Sequence, residues 1–280
     1  MIKIYNKDLN LDLTLLSGQC FRQIKNIDNS FDIILSDRVI NIRRNNNYLI
    51  ISSNNENNLE TIVRNYFDLD TNYNKINKIL ISKDSSYEDI IKLNKGFHIL
   101  NQNKFEMYIS YIISQNNNIK RISKIIENIS IKYGKKIIFN NKEYYLFPKY
   151  EDLINITIND LNEFKLGFRD KYIINAMNKL KENKDFLNNL DLLNTSKCLK
   201  ELMKIKGIGM KVASCILLFS YHRLDVFPID TWVKHFMSDR KVDIKDIKTK
   251  MKNIYGDYSG LIIQYIYNYE RNIKNRLTNC

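Results

Sequence analysis

Three side chains in the C-terminal half of this chain have the types and spacing for covalent chemistry: Lys211, Cys215 and Asp230. Lys211 stands two residues after Gly209 in the stretch KGIGMKVASC, Lys206–Cys215. An amine becomes a nucleophile when desolvation or nearby positive charge lowers its pKa, and a helix N-terminus acts in that direction. Cys215 follows four residues later and so shares the helix face of Lys211, marking one side that borders a pocket. Read alone, the lysine is a solvated side chain and the cysteine a small core residue. Asp230, in DVFPIDTWVKHFM, comes nineteen residues after the lysine, enough to finish a helix and turn back beside the amine. Its place just before an amphipathic run suits an N-cap for structural reasons alone, so cap and reacting carboxylate both stay open.

The element that must position the lysine is a helical hairpin over 196–220. Leu199, Leu202, Met203 and Ile205 form one apolar stripe, and Val212, Ala213, Ile216, Leu217 and Phe219 form the next. Two helices joined by Lys206-Gly207-Ile208-Gly209 make a short αα hairpin. The chain has only eight glycines, and two of them flank a lone isoleucine here. One glycine would read as a helix C-cap. Two, with Ile208 plugging the turn from inside, let the backbone approach a partner closely. The free N–H groups of the second helix then point outward as a seat for phosphate.

Around the hairpin the chain reads as α+β. The segment 31–52 holds three β-branched runs, Asp32–Leu35, Val39–Arg43 and Tyr48–Ser52, separated by Ser-Asp and Asn clusters that suit turns. They predict an antiparallel meander with one face covered. From Leu59 onward the period becomes helical, as in LETIVRNYF, FEMYISYIISQ and ISKIIENISIKY. The organisation expected is a sheet domain with flanking helices over 1–95, followed by a helical domain over 96–280. Turns in the helical part must use Asn, Asp and Lys.

Composition bounds the partner. At 280 residues the chain is long enough to bury a sizeable core. A net charge of +13 and a pI of about 9.3 favour a polyanion such as nucleic acid, although a Lys-, Asn- and Ile-loaded sequence also reflects codon bias. The N-terminus lacks an apolar core suited to a signal peptide, and the apolar run Cys215–Phe219 falls far short of a membrane helix. The expectation is a soluble, cytoplasmic protein, nucleoid-associated in a prokaryote. Cys20, Cys198, Cys215 and Cys280 show no paired spacing, so no disulfide framework, zinc site or iron–sulfur cluster is expected. No helical face is conspicuously spare, which points to a monomer.

The hairpin glycines, the lysine two residues on and Pro228-x-Asp230 together resemble the 8-oxoguanine DNA glycosylase/AP lyase family of the helix-hairpin-helix (HhH-GPD) glycosylases. The resemblance extends through LSGQCFR (Leu16–Arg22), SQNNNIKRI (Ser114–Ile122) and KLGFRDKYI (Lys165–Ile173), in the family's order over nearly the whole chain. Related branches that use a four-cysteine cluster differ from this chain, and alkylbase glycosylases lack the lysine. The resemblance implies a double-stranded DNA substrate containing 8-oxoguanine, whose damaged base is rotated out of the stack. It implies that Lys211 attacks C1′ as nucleophile and that Asp230 stabilises the cationic sugar. The carbonyl of Gly18 would accept from the N7 hydrogen that distinguishes 8-oxoguanine from guanine. Cys215 and Tyr267 would sandwich the base, with Pro228 lining the pocket. Asn116 would fill the gap left in the duplex, Arg121 and Arg169 would bond the orphaned cytosine, and Phe168 would wedge into the stack. Gly207 and Gly209 would bring the hairpin to the backbone. No cofactor is expected beyond a structural cation at the hairpin, held by carbonyls near Lys206 and Ile208.

The sequence departs from the family at two places. Direct counting puts Ile263, with Gln264 alongside, where many members carry a glutamine that reads the lesion's Watson–Crick edge. Trp232 stands where the family has a phosphate-binding histidine, with His235 one turn away. Two further readings therefore stay open: a glycosylase of this fold for another oxidised base, and a non-catalytic hairpin module that only grips DNA.

Overall fold

The computed structural model describes residues 1–240 and 244–277. Five antiparallel strands form the N-terminal sheet: β1 (Ile2–Tyr5), β2 (Gln23–Lys25), β3 (Phe31–Ile34), β4 (Val39–Asn45) and β5 (Tyr48–Ser53), in the order β1-β5-β4-β3-β2. The three central strands are those the alternation predicts. β2, of three residues, is too short for period alone to reveal, and β1, as long as β3, has no neighbouring run in sequence to reinforce it. Register is fixed by the apolar face: Ile42 pairs with both Phe31 and Ile51, and Ile33 with Ile40. These residues pack with Leu11 and Leu15 of the helix Leu11–Leu15 and with Leu59, Val63 and Tyr66 of the helix Leu59–Tyr66. Each fully buried Ile or Leu contributes about 1.5–3 kcal/mol of transfer free energy, so this small layer is a genuine core.

The expected open face is partly covered. A hairpin of β6 (Lys136–Phe139) and β7 (Lys142–Tyr145) reaches back to the sheet, packing Phe139 and Tyr144 on Ile34 and Val39. Its turn, Asn140-Asn141, has both residues at positive φ, and this asparagine pair is the local signal for the hairpin. Buried Asp32 then accepts hydrogen bonds from Tyr144 Oη and Asn41 Nδ2, which satisfies a polar group inside the junction. Of the nine described non-glycine residues with positive φ, six are asparagines. Asparagine thus does the turn work that this glycine-poor chain denies to glycine.

The second core is helical, and it draws on two helices that precede residue 96. Tyr73, Ile76 and Leu80 of the helix Tyr73–Lys83, and Ile90 and Ile91 of the helix Glu88–Leu93, belong to the helical core. At its centre the helix Lys104–Ile113 packs against Met210–Ser220, whose residues Val212–Ser220 are all buried. Asn72, Asn103, Asn118 and Asn194 each accept the backbone N–H three residues on and so start four of the helices. No helix among the described residues is long and apolar enough to cross a membrane.

Candidate active site

Helix Thr195–Met203, the turn at Gly207-Ile208-Gly209 and helix Met210–Ser220 form the expected hairpin. The two glycines do different things. Gly207 has φ +106°, and a Cβ there would collide with the ring and Cβ of Tyr172. Gly209 is the N-cap in extended conformation, and a Cβ there would meet nothing within 4 Å. Ile208 is buried in the core beneath the turn, and its N–H donates to Ile205 O at 2.9 Å.

In the first turn of the second helix, Lys211 opens onto a cavity of about 60 Å³ with Gly18, Tyr111, Cys215, Phe219, Pro228, Asp230, Gln264 and Tyr267. Five separate segments of the chain meet there. Lys211, Cys215 and Phe219 fall at four-residue steps on one helix face. That period extends to Phe219 the face already marked by Lys211 and Cys215. Tyr111 comes from another helix and carried no sequence signal. Its ring stacks on Phe219 with centroids 5.5 Å apart, lies 5.8 Å below Lys211 Nζ, and its hydroxyl donates to Gln19 O at 3.3 Å.

Asp230 is the N-cap of helix Thr231–Asp239, where Oδ1 accepts from Val233 N at 2.9 Å. The two readings of this residue are compatible, because the cap fixes one carboxylate oxygen while the group borders the cavity with Lys211. Burial raises the Asp230 pKa, while the Val233 amide and the Lys211 charge pull it down. Burial likewise raises the thiol of Cys215 and pushes Tyr267 up to about 12. Gly18 sits at φ +89°, a conformation that L side chains rarely adopt, and a Cβ there would lie 2.7 Å from Ile119 Cδ1. The loop is also tied down from behind: Gln102 Nε2 donates to Gln19 O at 2.8 Å, and Gln19 Nε2 donates to His98 O at 2.9 Å.

The remaining candidates divide. Gln264 lines the cavity, whereas Ile263 is wholly buried in the helical core and is absent from the lining. Trp232 is half-buried outside the lining, and His235 lies beside Asp239 and Glu270 with Nδ1–carboxylate distances of 3.3 and 3.5 Å. Asn116 is exposed at φ +46° between the helices Lys104–Ile113 and Ile119–Tyr133. Arg121 is exposed and donates to Lys165 O at 2.9 Å. Phe168 is exposed, with the Arg169 guanidinium 4.5 Å from its ring centre. Arg169 is only 4% exposed and donates to the carbonyls of Gln115, Asn116 and Leu166. Here it braces the loop that presents Asn116, and because it is buried it reaches a base only if that loop moves. Lys206 O, one of the carbonyls expected to hold a cation, accepts from Asn175 Nδ2 at 3.1 Å, and Gly207 O accepts from Gln115 Nε2 at 2.9 Å.

An antiparallel sheet joined to a helical domain, with a lysine and a carboxylate facing one cavity behind a helical hairpin, defines a helix-hairpin-helix DNA repair architecture. Residues 109–254 match the HhH-GPD superfamily of base excision DNA repair proteins, and residues 1–108 match the N-terminal domain of 8-oxoguanine DNA glycosylase. The chain belongs to the 8-oxoguanine DNA glycosylase family of that superfamily. Among solved structures it is similar to MBOgg1 in complex with a low-affinity DNA ligand, with 35% identity, TM-score 0.92, and coverage of 97% of this chain and 96% of that one. It is also similar to the Clostridium acetobutylicum 8-oxoguanine glycosylase/lyase in complex with double-stranded DNA containing cytosine opposite 8-oxoG. That match has 33% identity and TM-score 0.90 over 98% of this chain and 99% of that one. The N-glycosylase/DNA lyase OGG1 of Arabidopsis thaliana is 24% identical over 92% of this chain and 76% of that protein.

Proposed function

We propose that this protein is a bifunctional glycosylase/lyase that excises 8-oxoguanine from duplex DNA and cuts the strand at the abasic site. The observation that carries the reading is the shared cavity: Lys211 and Asp230, from different helices, face one small space closed on another side by the Gly18 turn. The neutral amine of Lys211 attacks C1′, and the electrons of the N-glycosidic bond leave with the base. Ring opening gives a protonated Schiff base. Loss of a C2′ proton then expels the 3′ phosphate. Asp230, with one oxygen committed to Val233, keeps its charge close to the developing sugar cation, and the proton lost from the new C1′ ammonium passes to the departing base.

The Gly18 carbonyl reads the N7 hydrogen, Cys215 and Tyr267 hold the two faces of the base, and Pro228 and Gln264 complete the pocket. Ligand sites of this kind occupy roughly 300–1,000 Å³, far more than the 60 Å³ found here, so base entry must part Tyr267 and Gln264 from Lys211 and Cys215. Asn116, Phe168 and Arg121 sit on the exposed rim that meets the gapped duplex. Arg169 reaches the orphaned cytosine only as its loop rearranges. The chain acts as a monomer in the cytoplasm, and the hairpin contacts phosphate through its backbone, without a redox cofactor. A cation at the hairpin would share Lys206 O with Asn175, using the second lone pair of that carbonyl. The direct test is incubation with an 8-oxoguanine:cytosine duplex and borohydride. A covalent protein–DNA adduct that disappears in Lys211→Gln is expected. Base release without any adduct removes the lyase step, and no release from this duplex while another oxidised base is released changes the substrate.

A further inference from the structure

Two walls of the catalytic cavity come from opposite ends of the chain, the Gly18 turn and the helix Ser259–Leu277, and one side chain joins them. Gln264 and Tyr267 line the cavity from that helix at a three-residue step. Arg271 follows four residues later, so it continues the same stripe beyond Tyr267. Its half-buried side chain leaves its own helix, and Nη1 donates to Leu16 O at 2.9 Å. The guanidinium also stands beside both groups that would hold the base. A Cβ built on Gly18 would lie 3.4 Å from Arg271 Nη1 and 3.4 Å from Tyr267 Oη. Burial raises the Tyr267 phenol, and the neighbouring Arg271 charge draws it back down.

The other hydrogen bonds that hold the loop run elsewhere. Ser17 Oγ donates to Thr14 O at 2.9 Å, and Gln19 Nε2 donates to Thr14 O at 3.0 Å as well as to His98 O. Gln19 Oε1 accepts from Leu100 N at 2.8 Å. These bonds fix the loop against the helix Leu11–Leu15 and the segment 98–102, and none of them reaches the helix that carries Tyr267. Leu16 itself is 44% exposed, so packing does little to hold it. Gly18, two residues on, is the residue type with the widest backbone freedom. The spacing between the Gly18 edge and the Tyr267 ring therefore depends on a bond that crosses from one wall to the other. Arg271 makes that bond, and its planar fork offers several donors at fixed angles.

We infer that Arg271 is a positioning residue for base recognition: it clasps the Gly18 loop to the helix of Tyr267, so that the carbonyl reading the base edge and the ring covering its face keep one spacing. The inference rests on the 8-oxoguanine reading given above. The clasped walls move as one jaw when the base parts them from Lys211 and Cys215, and the Gly18 carbonyl meets the N7 hydrogen already aimed. Arg271 takes no part in the chemistry at C1′. Its loss therefore touches the step in which a base is read and spares the step that needs only Lys211 and Asp230.

The test compares two single-turnover rates in the whole protein. One is base release from an 8-oxoguanine:cytosine duplex. The other is strand cleavage of the same duplex carrying a preformed abasic site, which offers no base to read. Arg271→Met keeps much of the side chain's length and has no donor. It is expected to slow base release by about tenfold or more. Cleavage of the abasic duplex should change by less than about twofold, which also shows that the variant is folded. Equal slowing of both steps overturns the inference, because it marks a contact with the DNA backbone or a general loss of structure. So does base release at the parental rate in Arg271→Met. A parent protein that releases no 8-oxoguanine removes the function proposed above and this inference with it, whereas equal release by parent and variant removes this inference alone.

Discussion

At the scale of single residues, Asp230 holds two duties in one carboxylate, and they can be separated. Asparagine also caps helices well, so Asp230→Asn should keep thermal stability within about 0.5 kcal/mol of the parent. It should nevertheless lower the rate of base release by roughly 10²–10⁴, since the charge beside the sugar is gone. Asp230→Ala should lose the rate and also about 1 kcal/mol of stability, as read by denaturant melts. Because burial raises the Asp230 pKa, the acid limb of the pH–rate profile should lie above the ordinary aspartate range. Protonation there removes the charge, so the rate falls as pH drops, and Asp230→Asn should flatten that limb. A limb unchanged in the variant assigns it to another group. Lys211→Gln should cost about 10³-fold or more in strand cleavage measured by gel, with stability little altered because the side chain is half-exposed. The types and spacing of these residues were readable in the sequence. The contributions of Tyr111, and of Gln264 in place of Ile263, were not, because they depend on which way neighbouring helices face.

At the scale of elements, the hairpin's glycines make opposite predictions. Gly207 combines φ +106° with the crowding of Tyr172, so Gly207→Ala must strain the turn or push that side chain away. A loss of roughly 1–3 kcal/mol is expected in chemical denaturation. Gly209 has ordinary φ and open space around its Cα, so Gly209→Ala should leave folding within about 0.5 kcal/mol. If the hairpin seats a phosphate, Gly209→Ala still weakens duplex binding because the added methyl stands between backbone and ligand. Equal stability of the two variants would contradict this division. The pattern Gly-Ile-Gly fixes the hairpin in sequence. Only packing against Tyr172 tells which glycine is needed for folding and which for approach.

At the scale of the whole molecule, the junction of sheet and helical cores carries a pH-dependent cost. Glu106 titrates near its ordinary 4.5 in the unfolded chain and, raised by burial, near about 7 in the folded one. Between those values the folded state binds more protons, so this group makes stability fall as pH rises, by at most about 3 kcal/mol. Glu106→Gln should therefore be flatter over that window and more stable than the parent above pH 7, as measured by urea melts at several pH values. A variant that loses stability at pH 8 would show that the carboxylate is held by a partner. The net charge of +13 makes a companion prediction, that duplex affinity should fall steeply with salt, with a log–log slope that reports the phosphates contacted.

The sequence by itself determined the three central strands, the helical period of the remainder, the hairpin, the shared helix face of Lys211 and Cys215, and Asp230 at an N-cap. These rest on local rules: alternation, helical spacing, glycine at a turn, a carboxylate at an N-cap. β2 carried too few residues for a period, β1 had no neighbouring run to reinforce it, and the β6–β7 hairpin hid in asparagines that codon bias had made unremarkable. Tertiary structure alone decided that Ile263 turns into the core while Gln264 faces the cavity, that Arg169 braces the Asn116 loop, and that Arg271 reaches across to the Gly18 loop. A side chain's chemistry is set by its neighbours and its solvation, and in this fold those neighbours come from segments far apart along the chain.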